Sequence, residues 1–227
     1  MTHRLDPIAR RVQQQRLTYL ATSKLYSLTR QIDRLNREGV AGDLYEFGIA
    51  LGGSSIIMAS KMQNRHYHGF DVFGTIPPPS EQDERDSHER YAVIEAGRSK
   101  GIEGDDYYGY VDDLYDRVVR NFADCGLAVD GERIALHKGL FEDTLTLAPG
   151  TRIALAHVDC DWYEPVKFCL EQIADHMSLE GAIIIDDFND YQGCRKATCD
   201  FLASDSRFLL QTERPHAILI RRAEREG

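Results

Sequence analysis

The sequence predicts an α/β protein built on a Rossmann-like, doubly wound sheet of seven strands, with a helical extension ahead of the sheet and an antiparallel hairpin at its end. Three observations predict this. From residue 43 onward, short apolar runs alternate with helical patterns, as in a parallel sheet with helices on both faces. The first apolar run opens directly into glycine-rich sequence and then a helical stretch, as a nucleotide-binding turn does. The last two apolar runs are joined only by Glu213–Arg214–Pro215, which reads as a hairpin link.

The elements follow in order. Within 1–40, Leu17, Leu20, Leu25, Leu28, Ile32 and Leu35 recur at helical spacing. That stripe suits packing on the sheet domain, a dimer contact or a wall of the substrate pocket. Strands are expected at Leu44–Gly48, Tyr67–Asp71, Arg133–Lys138, Ile153–Asp159 and Ala182–Asp186. Helices are expected near Ser54–Met62, Asp113–Cys125, Glu164–Met177 and Cys194–Asp205. The segment Gly74–Asp112 breaks the alternation: it holds Pro77–Pro78–Pro79, a charged stretch from Glu81 to Arg90, and Gly101, Gly104 and Gly109. A long insertion after the second strand hangs over the edge where ligands bind, so it reads as a lid. The closing hairpin, Phe208–Thr212 and His216–Arg221, fits the class I methyltransferase version of the sheet, whose last strand is inserted antiparallel. One domain is expected to span 1–227.

Composition bounds the function. A chain of 227 residues with 42% hydrophobic and 28% charged residues is ordinary globular material. A formal net charge of −10 repels a phosphate backbone and argues against a general nucleic-acid binder. The N-terminal stretch carries Arg and Gln throughout and no continuous apolar run, so neither a signal peptide nor a membrane span is expected. The five cysteines show neither a disulfide-scaffold spacing nor a second pair for zinc, which suits reduced residues in the cytoplasm.

One end of the site reads as a nucleotide pocket. Glu46, Gly48, Gly52, Gly53 and Ser54 stand where the first strand runs into its glycine-rich turn, and glycines there let backbone approach a ligand closely. The spacing is not G-x-G-x-x-G, so the dinucleotide fingerprint is absent. A carboxylate at Glu46 would repel pyrophosphate and attract the ammonium of a methionine moiety. Asp71 closes the second strand, where an acid accepts hydrogen bonds from ribose hydroxyls and excludes a 2′-phosphate. Together these features favour an S-adenosylmethionine site.

The other end is acidic. Ile153–Asp159 continues into Asp161 and Glu164, and Ile183–Ile185 runs into Asp186 and Asp187. In right-handed βαβ units these strand ends open on the same sheet edge. Carboxylates gathered there raise one another's pKa, and a hard divalent cation such as Mg²⁺ relieves the conflict. Helix capping explains one or two such acids, but not four. A metal lowers the pKa of a bound hydroxyl, and a nearby carboxylate then removes the proton. His157 shares parity with Asp159 and reads more simply as packed.

On these residues the sequence resembles the macrocin O-methyltransferase family, metal-dependent enzymes that methylate sugar hydroxyls of natural products. The resemblance is carried by Leu44–Gly48 with Gly52–Gly53–Ser54, Phe70–Phe73, Gly139–Leu145, Val158–Glu164, Asp186–Asp187–Phe188 and Gly193–Cys194–Arg195. It implies metal ligands at Asp159, Asp186 and Asp187 and a general base at Asp161. It also implies cofactor contacts around Glu46, Gly48, Gly52, Ser54 and Asp71, with Gly139 and Phe141 near adenine and Asp159 bordering both ligands. Magnesium, a glycosylated small-molecule acceptor of antibiotic biosynthesis and a homo-oligomer, often a dimer, are further implications. Three alternatives stand beside this reading: a catechol-type phenolic acceptor, an NAD-linked oxidoreductase, and a non-catalytic protein that binds an adenosyl ligand.

Overall fold

The computed structural model describes residues 5–223. Residues 1–4 of the expected extension and 224–227 of the expected domain lie outside the described residues. The chain begins with helices α1 (Pro7–Gln14) and α2 (Thr22–Glu38). Then come β1 (Asp43–Phe47), α3 (Gly53–Lys61), β2 (Tyr67–Asp71), α4 (Arg85–Glu95), α5 (Leu114–Asp124) and β3 (Ile134–Lys138). A one-turn α6 (Phe141–Thr144), β4 (Ile153–Val158), α7 (Tyr163–Ile173), β5 (Met177–Ile185), α8 (Gln192–Ser204), β6 (Phe208–Thr212) and β7 (Ala217–Arg221) complete it.

The strands form one seven-stranded sheet in the order β3-β2-β1-β4-β5-β7-β6. Neighbours from β3 through β5 pair parallel, while β7 runs antiparallel to both β5 and β6. This is the expected methyltransferase-type sheet, with the inserted last strand that the hairpin predicted. Parity sorts the side chains into two cores, because alternate residues of a strand face opposite ways. Leu44, Ala182 and Ile184 join the layer covered by α1, α2, α3 and α5. Tyr45, Phe47, Ile183 and Ile185 join the layer covered by α7 and α8. The strand order reverses between β1 and β4, where open α/β sheets leave a crevice at the carboxyl ends of the strands.

Three elements differ from expectation. The N-terminal stripe divides into two helices: Arg16 adopts φ 57, and Leu17 and Leu20 lie in the link rather than in a helix. That link rests on the first turn of α3, where a Cβ added to Gly53 would stand 2.4 Å from the Leu17 carbonyl oxygen. Strand β5 starts at Met177, not Ala182, because Met177 pairs with Ile153 ahead of a register shift in β4. The third is α4, inside the expected lid. It buries only Ser87 and Ile94, so its sequence carries no apolar stripe to announce it. Just before it, Asp83 accepts from the backbone N–H of Ser80 at 2.9 Å and of Tyr163 at 2.8 Å, tying the segment to α7. Among the described residues no helix is long and apolar enough to cross a membrane.

Candidate active site

A cavity of about 640 Å³ opens at the carboxyl edge of the sheet. Its base is made by strand ends: Gly48 after β1, Asp71 closing β2, Asp159 to Asp161 after β4, and Asp186 and Asp187 after β5. Gly48 has φ 91, and an added Cβ would stand 1.8 Å from the Asp159 carbonyl oxygen, so any side chain there would part β1 from β4. The Asp71 carboxylate is buried and holds the glycine turn: Oδ2 accepts from Ile49 N–H at 2.7 Å and Ala50 N–H at 3.2 Å, and Oδ1 from Phe73 N–H at 2.6 Å. With roughly four acceptor positions on a carboxylate, one remains, on Oδ1. Burial raises the Asp71 pKa against those three bonds.

The acidic side is denser. One carboxylate oxygen each of Asp159, Asp186 and Asp187 can be chosen so that all three lie within 4.8 Å of one another. Burial and then Asp186 push Asp159 up to about 8. Burial and then Asp161 push Asp187 well above the usual carboxylate range. Burial would raise Asp186 as well, but contacts with His157 and His216 and the charge of Lys24 outweigh it and hold its carboxyl below that range. Asp161 adopts φ 61, and Trp162 N–H reaches back over it to the Cys160 carbonyl at 2.7 Å. Such a three-residue turn is rare and strained, and it presents Asp161 beside the trio. Burial raises the Asp161 carboxyl to about 6, with the Arg90 guanidinium pulling it down.

Not every expected residue reaches the cavity. Gly48, Asp71, Phe141, Asp159, Asp161, Asp186 and Asp187 line it, whereas Glu46, Gly52, Ser54 and Gly139 do not. Glu46 is 0% exposed and wholly engaged below the surface. Its Oε2 accepts from Ser55 Oγ at 2.5 Å and from the Tyr67 hydroxyl, and its Oε1 faces His157 Nδ1 at 2.9 Å. Gly52 starts α3 against Val118, and Gly139 supports the turn into α6.

Other lining residues escaped sequence reasoning. Lys24, near the start of α2, places Nζ 2.7 Å from both Asp186 Oδ2 and Asp190 Oδ2. Its position depends on the α1–α2 link, for which the sequence offers no local signal. Tyr19 stands edge-on to Tyr108 with ring centroids 5.7 Å apart, and Arg90 of α4 lies 5.5 Å over Tyr107. Trp162 meets Tyr191 edge-on at 5.1 Å and donates from Nε1 to the Pro77 carbonyl at 3.0 Å. The tyrosine pair Tyr107–Tyr108 within 74–112 was the available signal for this aromatic wall.

With this geometry in view, known proteins give a consistent answer. The sequence model of the macrocin O-methyltransferase family matches residues 9–207. The chain belongs to the macrocin O-methyltransferase family. A curated relative from Streptomyces olivaceus, 8-demethyl-8-(2,3-dimethoxy-alpha-L-rhamnosyl)-tetracenomycin-C 4'-O-methyltransferase, is 31% identical over 81% of this chain and 67% of its own. The solved O-methyltransferase NovP superposes with a TM-score of 0.74 at 23% identity, covering 92% of this chain and 83% of that one. An S-adenosylhomocysteine-bound methyltransferase from Podospora anserina, PaMTH1, gives 0.61 at 16% identity over 98% and 90% of the two chains. The last two likenesses establish the fold.

Family membership makes the chain an O-methyltransferase and removes the oxidoreductase alternative. The donor set also fits the divalent cation that the family implies. Three carboxylates meet at close range, and burial with mutual repulsion drives two of them, Asp159 and Asp187, above the range of an ordinary acid. Oxygen ligands on a hard cation are the natural relief for such a cluster.

Proposed function

We propose that this chain is an S-adenosylmethionine- and Mg²⁺-dependent O-methyltransferase whose acceptor is a hydroxyl of a small molecule, a deoxysugar of a glycosylated secondary metabolite. The observation that carries the reading is the Asp159–Asp186–Asp187 trio bordering the same cavity as Gly48 and Asp71. Gly48, Asp71 and Phe141 bind the methyl donor, with the free acceptor position of Asp71 Oδ1 taking a ribose hydroxyl. Asp159, Asp186 and Asp187 hold the cation, which supplies a Lewis acid that makes an acceptor hydroxyl more acidic. S-adenosylmethionine supplies a methyl group on a sulfonium that is already a good leaving group.

The protein's own residues do the rest. Asp161 takes the hydroxyl proton on a carboxylate oxygen, and a carboxyl near pKa 6 is mostly ionised at neutral pH. The hydroxyl oxygen forms its bond to the methyl carbon as the carbon–sulfur bond breaks. Trp162, Tyr191, Tyr107 and Tyr108 wall the acceptor side, orient the ring and exclude water. Residues 74–112 act as a lid on this side, within one methyltransferase domain spanning 1–227. Assembly as a homo-oligomer and action in the cytoplasm complete the proposal, the latter supported by five free cysteines.

Flat aromatic walls suit a catechol as well as a sugar face, so the test compares both. Methyl transfer from labelled S-adenosylmethionine is measured to an aryl rhamnoside and to 3,4-dihydroxybenzoate, with Mg²⁺ and with EDTA. Mg²⁺-dependent labelling of the rhamnoside is the expected result. Labelling of the catechol alone would reassign the acceptor, and undiminished labelling in EDTA would remove the metal.

A further inference from the structure

The buried residues beneath the carboxylates form a continuous polar chain that the proposed chemistry does not use. Glu46 on β1 and His157 on β4 are direct partners in the sheet register, and both are 0% exposed. Their side chains share a face: Glu46 Oε1 stands 2.9 Å from His157 Nδ1. A carboxylate oxygen only accepts, so Nδ1 carries a hydrogen and donates to Glu46. The opposite ring nitrogen, Nε2, points to Asp186 Oδ1 at 3.6 Å, within ion-pair distance but beyond a hydrogen bond. It has no hydrogen-bond partner, although it is fully buried. The same Asp186 oxygen meets His216 Nδ1 at 3.3 Å, and His216 Nε2 lies 2.9 Å from Ser27 Oγ on α2.

We propose that His157, anchored by Glu46, is a positioning residue for the metal ligand Asp186: it braces the carboxylate from the Oδ1 side, opposite the Oδ2 that Lys24 holds, and so sets the orientation in which Asp186 would meet the cation. The inference rests on the metal reading given above. It also assigns Glu46 to metal support instead of cofactor contact. Ser55 and Tyr67 hold Oε2 of Glu46 and His157 takes Oε1, so the acid aligns the imidazole along the line from β1 to Asp186. Partners of this kind orient metal ligands, and their removal costs about 10–100-fold in metal affinity.

Two amide substitutions separate this role from plain packing. Glutamine carries its amide nitrogen close to the Nε2 position, and asparagine carries it close to Nδ1. Mn²⁺ binding is read by electron paramagnetic resonance, and S-adenosylhomocysteine binding by calorimetry on the same samples. His157→Gln is expected to keep Mn²⁺ affinity within a few-fold of the parent protein, and His157→Asn to lose about 10–100-fold. Both should bind S-adenosylhomocysteine as the parent does. Equal Mn²⁺ affinity in the two variants would overturn the proposal, whichever level they shared. Should neither variant fold, Glu46→Gln gives the same readout: lower Mn²⁺ affinity with unchanged S-adenosylhomocysteine affinity supports the role. The reverse pattern would return Glu46 to the cofactor and overturn it. Parent protein that takes up no Mn²⁺ would defeat the metal reading itself, and this inference with it.

Discussion

Asp161 is one residue among several acids, yet its geometry differs from theirs. It alone of the four site aspartates has positive φ, and its N–H donates to Asp187 Oδ2 at 3.3 Å, so the strained turn is held against the trio. A base in that position acts on the rate more than on the cation. Asp161→Asn is therefore expected to lower kcat by about 10²–10⁴-fold while Mn²⁺ affinity, read by electron paramagnetic resonance, stays near that of the parent. Unchanged kcat would remove Asp161 as the base. The acids were legible in the sequence because parallel strand ends share an edge, so Asp159, Asp161, Asp186 and Asp187 had to converge. Glu46 was legible as a special acid but not in its placement, since parity alone does not say whether a strand-end side chain faces the cavity or the layer beneath. His157 and Lys24 depend on partners 111 and 162 positions away in the chain, a separation that no local pattern spans.

At the scale of elements, the strands were the most readable part. Tyr67–Asp71 and Phe208–Thr212 match their expected bounds, each a short run with aromatic content. The 74–112 segment was readable as an insertion, but α4 within it was not, since a helix that buries so little shows no stripe. Near its start the segment is held by two polar bonds: Asp83 accepts from Tyr163 N–H, and Trp162 Nε1 donates to the Pro77 carbonyl. Trp162→Phe keeps the ring against Tyr191 and removes the second bond, at a cost of about 0.5–1.5 kcal/mol. The expected outcome is faster proteolytic cleavage within 74–112 and a higher KM for the acceptor, with little change in melting temperature. Cleavage at the parent rate would mean that this bond does not hold the segment.

At the scale of the molecule, the acidic site opposes folding unless its charge is answered. Burial and repulsion lift Asp159 to about 8 and Asp161 to about 6 in the folded state, against about 3.9 for an unfolded aspartate. Folded protein without metal therefore keeps protons that the unfolded chain has released. The stability linked to them is complete below the unfolded pKa and is lost as pH rises through the folded values. On the proposed reading, a cation held by Asp159, Asp186 and Asp187 would take the place of the Asp159 proton and bind the folded state alone, and so would restore stability that the rise in pH removes. The most direct test is the melting temperature between about pH 5 and 8, in Mg²⁺ and in EDTA, for the parent protein and for Asp159→Asn. The account predicts a gap between Mg²⁺ and EDTA that widens steadily with pH in the parent and is nearly absent in the variant. Equal melting temperatures at the alkaline end, or a gap that ignores both pH and the substitution, would contradict it.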